Sequence, residues 1–381
     1  MIYFDNPATT FPKPPCLCEE ISKCLKSYCG NPGRSSHALS LKSAEKIYET
    51  RALLADLFGA SPENVVFTYN TTYALNIAIK SFLKPRSHIL ISDIEHNAVF
   101  RPVSALSREN LCSYSFFCTD GTDEDILESI RRSITDDTSM LVCTHCSNVG
   151  VRRLPIKQIG ELCKSRAIFF IVDGAQSAGV HNIDVTAMNI DALCVPAHKS
   201  LYGPQGLGII IFGGEKIGKS FIEGGTGINS LQSEMPDFLP ERYEAGTMST
   251  PLIAGLGESL KWLKRIDIDK IRTFEEELYD TAVDLLSKNE HITVYKMNSY
   301  PGNTVIFNIR GIPSSIVSAE LDKREICTRS GFHCSALAHK KLQTGPNGAV
   351  RIGFSVFNTK KEIFSFYDVI TDIIKENKKP I

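Results

Sequence analysis

Short apolar runs alternate with amphipathic stretches through the first two thirds of the chain, and this alternation restricts the possible folds more than any other feature. Runs at 65–69, 88–92, 113–117, 140–144, 168–172, 192–195 and 207–212 have strand length and are bounded by Gly, Pro, Asn or Asp. Between them, 41–58 sets Leu41, Ala44, Ile47, Tyr48, Leu54 and Leu57 in near-helical spacing, with Gly59 where a C-terminal cap belongs. Thr122-Asp-Glu-Asp125 opens another helix, and Pro155 takes a first-turn position before Ile156. The alternation predicts an α/β fold with a largely parallel sheet, whose ligands gather at the carboxyl ends of the strands. After 241–250 the pattern changes. Long helices are predicted near 252–262 and 271–286, then a strand near 304–309, a helix after Pro313, a strand near 349–354, a last helix from Thr359 and a frayed tail at 376–380. That part reads as a second, smaller α+β domain.

Composition excludes several classes. With 43% hydrophobic and 22% charged residues in 381, the chain can bury a core and is not a disordered segment. Its formal net charge of −1 gives no positive field to attract nucleic acid or an anionic membrane, so neither is expected as a partner. No uncharged run approaches the ~18 residues of a membrane span, and the start has no export signal, so a cytoplasmic protein is expected. The 12 cysteines are scattered and expected to stay reduced. Cys16, Cys18, Cys24 and Cys29 form one cluster and Cys143-Thr-His-Cys146 another; a zinc site would want regularly spaced paired ligands around a small knuckle, whereas Cys143 lies in an apolar run and reads as strand core, so no metal is expected.

Gly213-Gly-Glu-Lys-Ile-Gly218-Lys219-Ser220 matches the phosphate-loop pattern, but the helix that the mechanism needs is broken at once by Gly224-Gly225-Thr-Gly227. A better phosphate site is Val65-Val-Phe-Thr-Tyr-Asn-Thr71-Thr72, where a strand runs into a helix start with free N–H groups; a plain N-cap is the alternative. Four further strand ends carry polar groups: Glu95-His96-Asn97, Ser147-Asn148, Asp173-Gly-Ala-Gln176 and His198-Lys199. Together they bring an imidazole, two amides, a carboxylate and a lysine to one crevice. A carboxylate can hold a pyridine nitrogen protonated, an imidazole can stack on the ring, and a lysine can form a Schiff base with an aldehyde.

With Tyr202-Gly-Pro-Gln-Gly206, Arg242-Tyr-Glu-Ala-Gly-Thr247, Arg329-Ser-Gly-Phe-His333-Cys334 and Arg351-Ile-Gly-Phe, these motifs resemble, in collinear order over nearly the whole chain, the class V aminotransferase group of fold type I pyridoxal-phosphate enzymes. Within it the likeness is to cysteine desulfurases and selenocysteine lyases. The resemblance implies a large domain at 16–250 with a mostly parallel seven-stranded sheet, and a small domain formed by 1–15 and 251–381 that carries a catalytic cysteine loop. It implies pyridoxal 5'-phosphate as cofactor and a homodimer. Lys199 would be the Schiff-base lysine and proton shuttle, Asp173 the partner of the pyridinium nitrogen, Gln176 that of the phenolic oxygen, and His96 the stacking ring. Thr71, Thr72 and His198 would hold the phosphate, joined by Thr247 from the other subunit. Asn148 would approach substrate and cofactor, Arg351 would clamp the substrate carboxylate with Arg329 nearby, and His37 falls in a segment that matches a stretch near the site only loosely.

The implied reaction converts L-cysteine to L-alanine, with the sulfur left as a persulfide on Cys334. By itself Cys334 also reads as an ordinary structural thiol, although Arg329 near in sequence is a setting that favours thiolate. The short run from Ser335 to Val350 resembles the branch with a short, ordered cysteine loop, which implies a sulfur-acceptor protein or small thiol as a second partner. Selenocysteine lyase, a class V aminotransferase or lyase that does not use Cys334, and a cofactor-binding scaffold are the competing readings. Pro196, Ser200 and Phe332 depart from the family pattern, the first at a position where a phosphate-binding hydroxyl is usual.

Overall fold

Residues 1–33, 36–150, 152–297 and 302–377 are described by a computed structural model of the chain. Strand β1 (Ile2–Tyr3) precedes helices α1 (Pro15–Ser27) and α2 (Ala38–Phe58). The alternating part follows as β2 (Val65–Thr68), α3 (Thr71–Ser81), β3 (Ser87–Ser92), α4 (Asn97–Arg108), β4 (Cys112–Phe117), α5 (Asp123–Ser133), β5 (Thr138–Thr144), α6 (Ile156–Ser165), β6 (Phe169–Asp173), β7 (Ala192–Pro196) and β8 (Gly208–Phe212). The last part holds α7 (Thr250–Ile266), α8 (Ile268–Ser287), β9 (Ile292–Tyr295), β10 (Thr304–Ile309), α9 (Ser314–Asp322), β11 (Ile326–Cys327), β12 (Arg329–Gly331), α10 (Ala336–Leu342), β13 (Ala349–Gly353) and α11 (Lys360–Asn377).

Each expected strand is present, with ends moved by one or two residues. Gly59 caps α2 in the left-handed region at φ 67°, and Thr122 and Asp125 form a reciprocal capping box on α5. Pro155 and Pro313 sit one position earlier than a first-turn proline, as the N-cap residues of α6 and α9. No helix follows the phosphate-loop look-alike before α7, so that motif is a turn after β8. Of the tail, Glu376 and Asn377 belong to α11, and 378–381 lie outside the described residues. The short elements β1, β11, β12 and α10 have too few residues for periodicity to reveal them.

The seven-stranded sheet has the order β2-β8-β7-β6-β5-β3-β4. Only β8 runs antiparallel to its neighbours. Apart from the edge strand β4, its strands are largely apolar on both sides because both faces are covered. Leu90, Leu141, Phe170, Leu193 and Ile209 enter one core, while Ile89, Met140, Ile171, Ala192 and Ile210 enter the other. The four-stranded antiparallel sheet β12-β13-β10-β9 packs Val305, Phe307, Val350 and Ile352 with α8, α9, α11 and the N-terminal Phe4 in a third core. Helix α7 instead packs Ile253, Leu256, Leu260 and Leu263 into the core that contains α2.

The chain makes β3 and β4 in one direction, then returns to place β5 on the other side of β3. This reversal opens a crevice at the carboxyl ends of β3 and β5. Neighbouring strands end in step there, since Thr144 pairs with Asp173, Asp173 with Cys194, and Pro196 with Gly208. A Cβ on Gly208 would stand 2.3 Å from the Asn70 carbonyl carbon, so glycine there lets the β2-to-α3 turn close over the sheet end.

Gly160 allows an equally close approach on the outside of the sheet, where an added Cβ would lie 1.9 Å from the Met188 carbonyl oxygen. Gly160→Ala must push α6 off this backbone, and a loss of about 2–3 kcal/mol is expected as a lower urea midpoint. An unchanged midpoint would show that α6 shifts freely.

Among the described residues, no helix is long and apolar enough to cross a membrane. Asp93, Cys118 and Asp120 bring their ligand atoms together at the end of the sheet. The Lys341 ammonium already serves them, 2.5 Å from Asp93 and 3.0 Å from Asp120.

Candidate active site

A cavity of about 220 Å³ lies at the crevice and is lined by Thr71, Thr72, His96, Asn148, Asp173, Gln176, His198, Lys199, Arg329 and Arg351. Eight of these ten follow or end strands of the large sheet, which end in step so that their polar termini face one opening, and the two arginines come from the small sheet. His37 and Thr247 do not join them. His37 is exposed and caps α2, its Nδ1 accepting from the Ser40 N–H at 3.3 Å. Thr247 lines a separate cavity with Gly33, Arg51 and Glu244. Of the segment around His37, residues 34 and 35 lie outside the described residues.

Lys199 follows β7, and its neighbours fix its backbone. Thr10 donates its hydroxyl to the Lys199 carbonyl at 3.0 Å, while Lys13 Nζ donates to the His198 carbonyl at 2.6 Å. Burial lowers the Lys199 amine to about 8; Asp173 opposes the shift, and Arg351 and Arg329 add to it. A buried lysine near neutrality in this way is a carbonyl-reactive nucleophile. Asp173 ends β6 and accepts the Ala175 N–H at 2.9 Å. Burial raises its carboxyl, against the pull of the Ala175 N–H and of Lys199.

Asn70 caps α3, accepting the Tyr73 N–H at 2.9 Å, so that Thr71 and Thr72 form the helix's first turn at the cavity. His198 Nδ1 is buried with no hydrogen-bond partner among the described residues. His96 caps α4, and its Nδ1 accepts the Ala98 N–H at 3.0 Å, which leaves the proton of the neutral ring on Nε2. Burial, helped by Lys199 and the nearby arginines, lowers this histidine to about 4. Behind it Glu95 is fully buried, accepts from Ser92 and from the Thr144 N–H at 2.9 Å, and is pushed up to about 8 by burial. Gln176 donates to the Pro7 carbonyl at 3.0 Å.

The other wall comes from the small sheet, where Arg329 of β12 pairs with Arg351 of β13. Arg351 is 1% exposed, its Nη2 bonds Asp5 at 2.9 Å, and its Nε has no hydrogen-bond partner among the described residues. A planar fork of this kind suits a carboxylate. Arg329 Nη2 lies 3.9 Å from Cys334 Sγ. Cys334 itself is exposed, and both His333 and Cys334 hold left-handed backbone, at φ 49° and 57°. Such a conformation costs a non-glycine residue about 1–2 kcal/mol, so surrounding bonds must hold it. Asn148 supplies two of them, donating to the His333 carbonyl at 2.8 Å and accepting from the Ser335 hydroxyl at 2.6 Å. The Asn97 N–H donates to the Cys334 carbonyl at 2.7 Å. Sequence motifs pointed to Asn148 as a contact for substrate; its double bond to the cysteine loop was not legible, because its partners lie 185 and 187 residues away.

A weakly basic lysine opposite a buried carboxylate, with a helix start at one end and two arginines at the other, defines an enzyme site for carbonyl chemistry on an amino acid. The chain belongs to the aminotransferase class-V family, which matches residues 2–366. A probable cysteine desulfurase of Pyrococcus abyssi is 30% identical over 393 residues, covering 98% of this chain and 94% of that protein. The mitochondrial cysteine desulfurase of Saccharomyces cerevisiae is 28% identical over 389 residues, covering 98% of this chain and 75% of that one. The apo structure of a cysteine desulfurase from Thermococcus onnurineus superposes with a TM-score of 0.90 at 29% identity, covering 98% of this chain and 95% of that one. The fold is that of the fold type I pyridoxal-phosphate enzymes, and membership of the family implies use of that cofactor.

Proposed function

We propose that this chain is a pyridoxal-phosphate-dependent cysteine desulfurase that converts L-cysteine to L-alanine and retains the sulfur as a persulfide on Cys334. One observation carries the reading: Arg329 lines the cavity of Lys199 and also reaches to 3.9 Å from the exposed Cys334 thiol, so that one guanidinium links the amine's cavity to the thiol.

The residues present fit pyridoxal phosphate. The unpartnered His198 Nδ1 and the α3 start would hold the phosphate, with Thr71 and Thr72. Asp173 would hold the ring nitrogen, Gln176 the phenolic oxygen, and His96 would stack on the ring. Thr247, in its separate cavity, would serve the site of a partner in a homodimer. When bound, the cofactor supplies an electron sink for charge developing at the substrate α-carbon. Lys199 takes the α-proton, and Arg351 with Arg329 orients the substrate carboxylate. The Cys334 thiolate attacks the substrate sulfur; the new S–S bond forms as the substrate C–S bond breaks, and the released carbon is protonated to give alanine. Tied down by Asn148 and Asn97, the cysteine loop cannot travel far, so an acceptor protein or small thiol comes to it. In the same reading the domains are 16–250, and 1–15 with 251–381; the packing of Phe4 with Leu278, Phe307 and Phe366 supports the second.

The direct test is alanine released from L-cysteine, with pyridoxal phosphate and a reducing thiol present. Release supports the reading. Transfer of the amino group to a 2-oxo acid without alanine from cysteine would move the chain to the aminotransferases of its family.

The amine also predicts a pH dependence. Because the pKa of Lys199 is lowered to about 8, its nucleophilic neutral form predominates above that pH. Capture of pyridoxal phosphate by the apo chain, followed as the change in absorbance, is expected to speed up through a midpoint near pH 8. A rate still rising tenfold per unit toward pH 10 would mean that burial does not lower this amine.

A further inference from the structure

The cysteine loop is held on its inner side by a chain of hydrogen bonds with one possible direction. His333 Nε2 lies 3.3 Å from the Arg329 carbonyl, which can only accept, so this nitrogen carries the ring proton. His333 Nδ1 must then accept, and it lies 2.9 Å from His339 Nε2. His339 therefore donates from Nε2, and its Nδ1 accepts from the Thr344 hydroxyl at 2.8 Å. Asn308 of β10 fixes the far end by donating to the Thr344 carbonyl at 3.1 Å. The two rings stack with centroids 5.1 Å apart and are 3% and 2% exposed. Burial keeps both neutral by lowering His339 to about 4 and His333 to about 2, with Arg351 assisting in each.

We propose that His339 is a positioning residue for Cys334, acting through His333 to hold the loop between Arg329 and Cys334 in its left-handed conformation. His339 lines no part of the substrate cavity; it sits on α10, just after the loop. Its role rests on the desulfurase reading only for the reaction that it serves. The Asn148 and Asn97 bonds fix the carbonyls of His333 and Cys334 from the large sheet, while the histidine chain fixes the Arg329 carbonyl from the small one. Without His339, the His333 ring loses the donor that sets its tautomer, and the Arg329 carbonyl loses its partner when the ring turns.

The test compares His339→Leu, His339→Gln and Thr344→Val in the cofactor-loaded protein. Two quantities are read: the kinetics of alanine release from L-cysteine, and the rate at which iodoacetamide alkylates Cys334 relative to exposed Cys18 of α1, resolved by peptide mass spectrometry. His339→Leu is expected to lower kcat about tenfold or more with KM within about twofold, and to shift the alkylation ratio about fivefold. His339→Gln keeps an amide donor where Nε2 stands and is expected to stay within about threefold of the native protein in both. Native values in His339→Leu overturn the proposal, as does a His339→Gln variant as impaired as His339→Leu, which would make the effect one of packing. If the native protein releases no alanine from cysteine, the desulfurase reading fails and the alkylation ratio alone decides: moved by Leu and restored by Gln supports the positioning role, and unmoved overturns it. If His339→Leu does not fold, Thr344→Val decides through a shift of at least about twofold in the ratio, and no shift overturns the proposal.

Discussion

Cys334→Ala is expected to reduce alanine release from L-cysteine by at least about 10³-fold, equivalent to roughly 4 kcal/mol of barrier. The thiol is exposed, a cationic guanidinium that lines the cavity lies 3.9 Å away, and three hydrogen bonds hold the loop that presents it. A rival exists, since Cys146 lines the cavity of Lys199. Burial pushes its thiol up to about 12, so it supplies almost no thiolate at neutral pH and cannot replace Cys334. Binding of pyridoxal phosphate, followed by absorbance, is expected to be unchanged in Cys334→Ala, which separates loss of the nucleophile from loss of the site. Alanine release that survives in Cys334→Ala and disappears in Cys146→Ala would transfer the nucleophile's role to the inner thiol.

Lys199→Ala is expected to end turnover, by about 10⁴-fold or more, and also to end covalent capture of pyridoxal phosphate. Among the described residues, no other amine lines the cavity. Lys13 is close by and is also lowered to about 8 by burial, but its Nζ is held by the His198 carbonyl and the Thr10 hydroxyl, each at 2.6 Å. It therefore buttresses the backbone of Lys199 and does not enter the cavity wall. Borohydride reduction of the complex followed by peptide mapping is the decisive measurement. A label on Lys199 in the native chain and none in the variant is the expected result; a label on Lys13 in the variant would show that the pocket tolerates a second amine.

The two effects differ in what they leave behind. In the proposed reaction, loss of Lys199 would remove the group that anchors the cofactor and moves the α-proton, so every reaction of the site is expected to stop. In the same reaction, loss of Cys334 would remove the acceptor of sulfur and leave the α-proton chemistry intact, so exchange of the substrate α-hydrogen with solvent is expected to persist in Cys334→Ala and to vanish in Lys199→Ala.

Apolar runs such as 88–92 and 192–195 declared their strands because burial on both faces demands unbroken hydrophobicity, which is a local property of the chain. The polar residues that end those strands, Glu95-His96, Asp173 and His198-Lys199, were legible as a site for the same reason: a strand's last residue and the loop after it are contiguous in sequence. Local reading also assigned Gly59 its cap and dismissed the phosphate-loop look-alike. It did not locate α1 or the small strands, and it could not tell that α7 packs with α2. His37 falls in a segment that matches the family only loosely, and in the fold its exposed ring caps α2. Asp5 on Arg351, Asn148 on both sides of Cys334, and the path from Thr344 through His339 to His333 were settled only by the tertiary structure. Which side chains stand at which strand ends follows from local pattern, because backbone periodicity and burial act over a few residues. Which of them touch, and so which thiol is presented and which rings hold it, was decided by the docking of the small sheet against the large one, since a hydrogen bond depends on distance in space and not on separation along the chain.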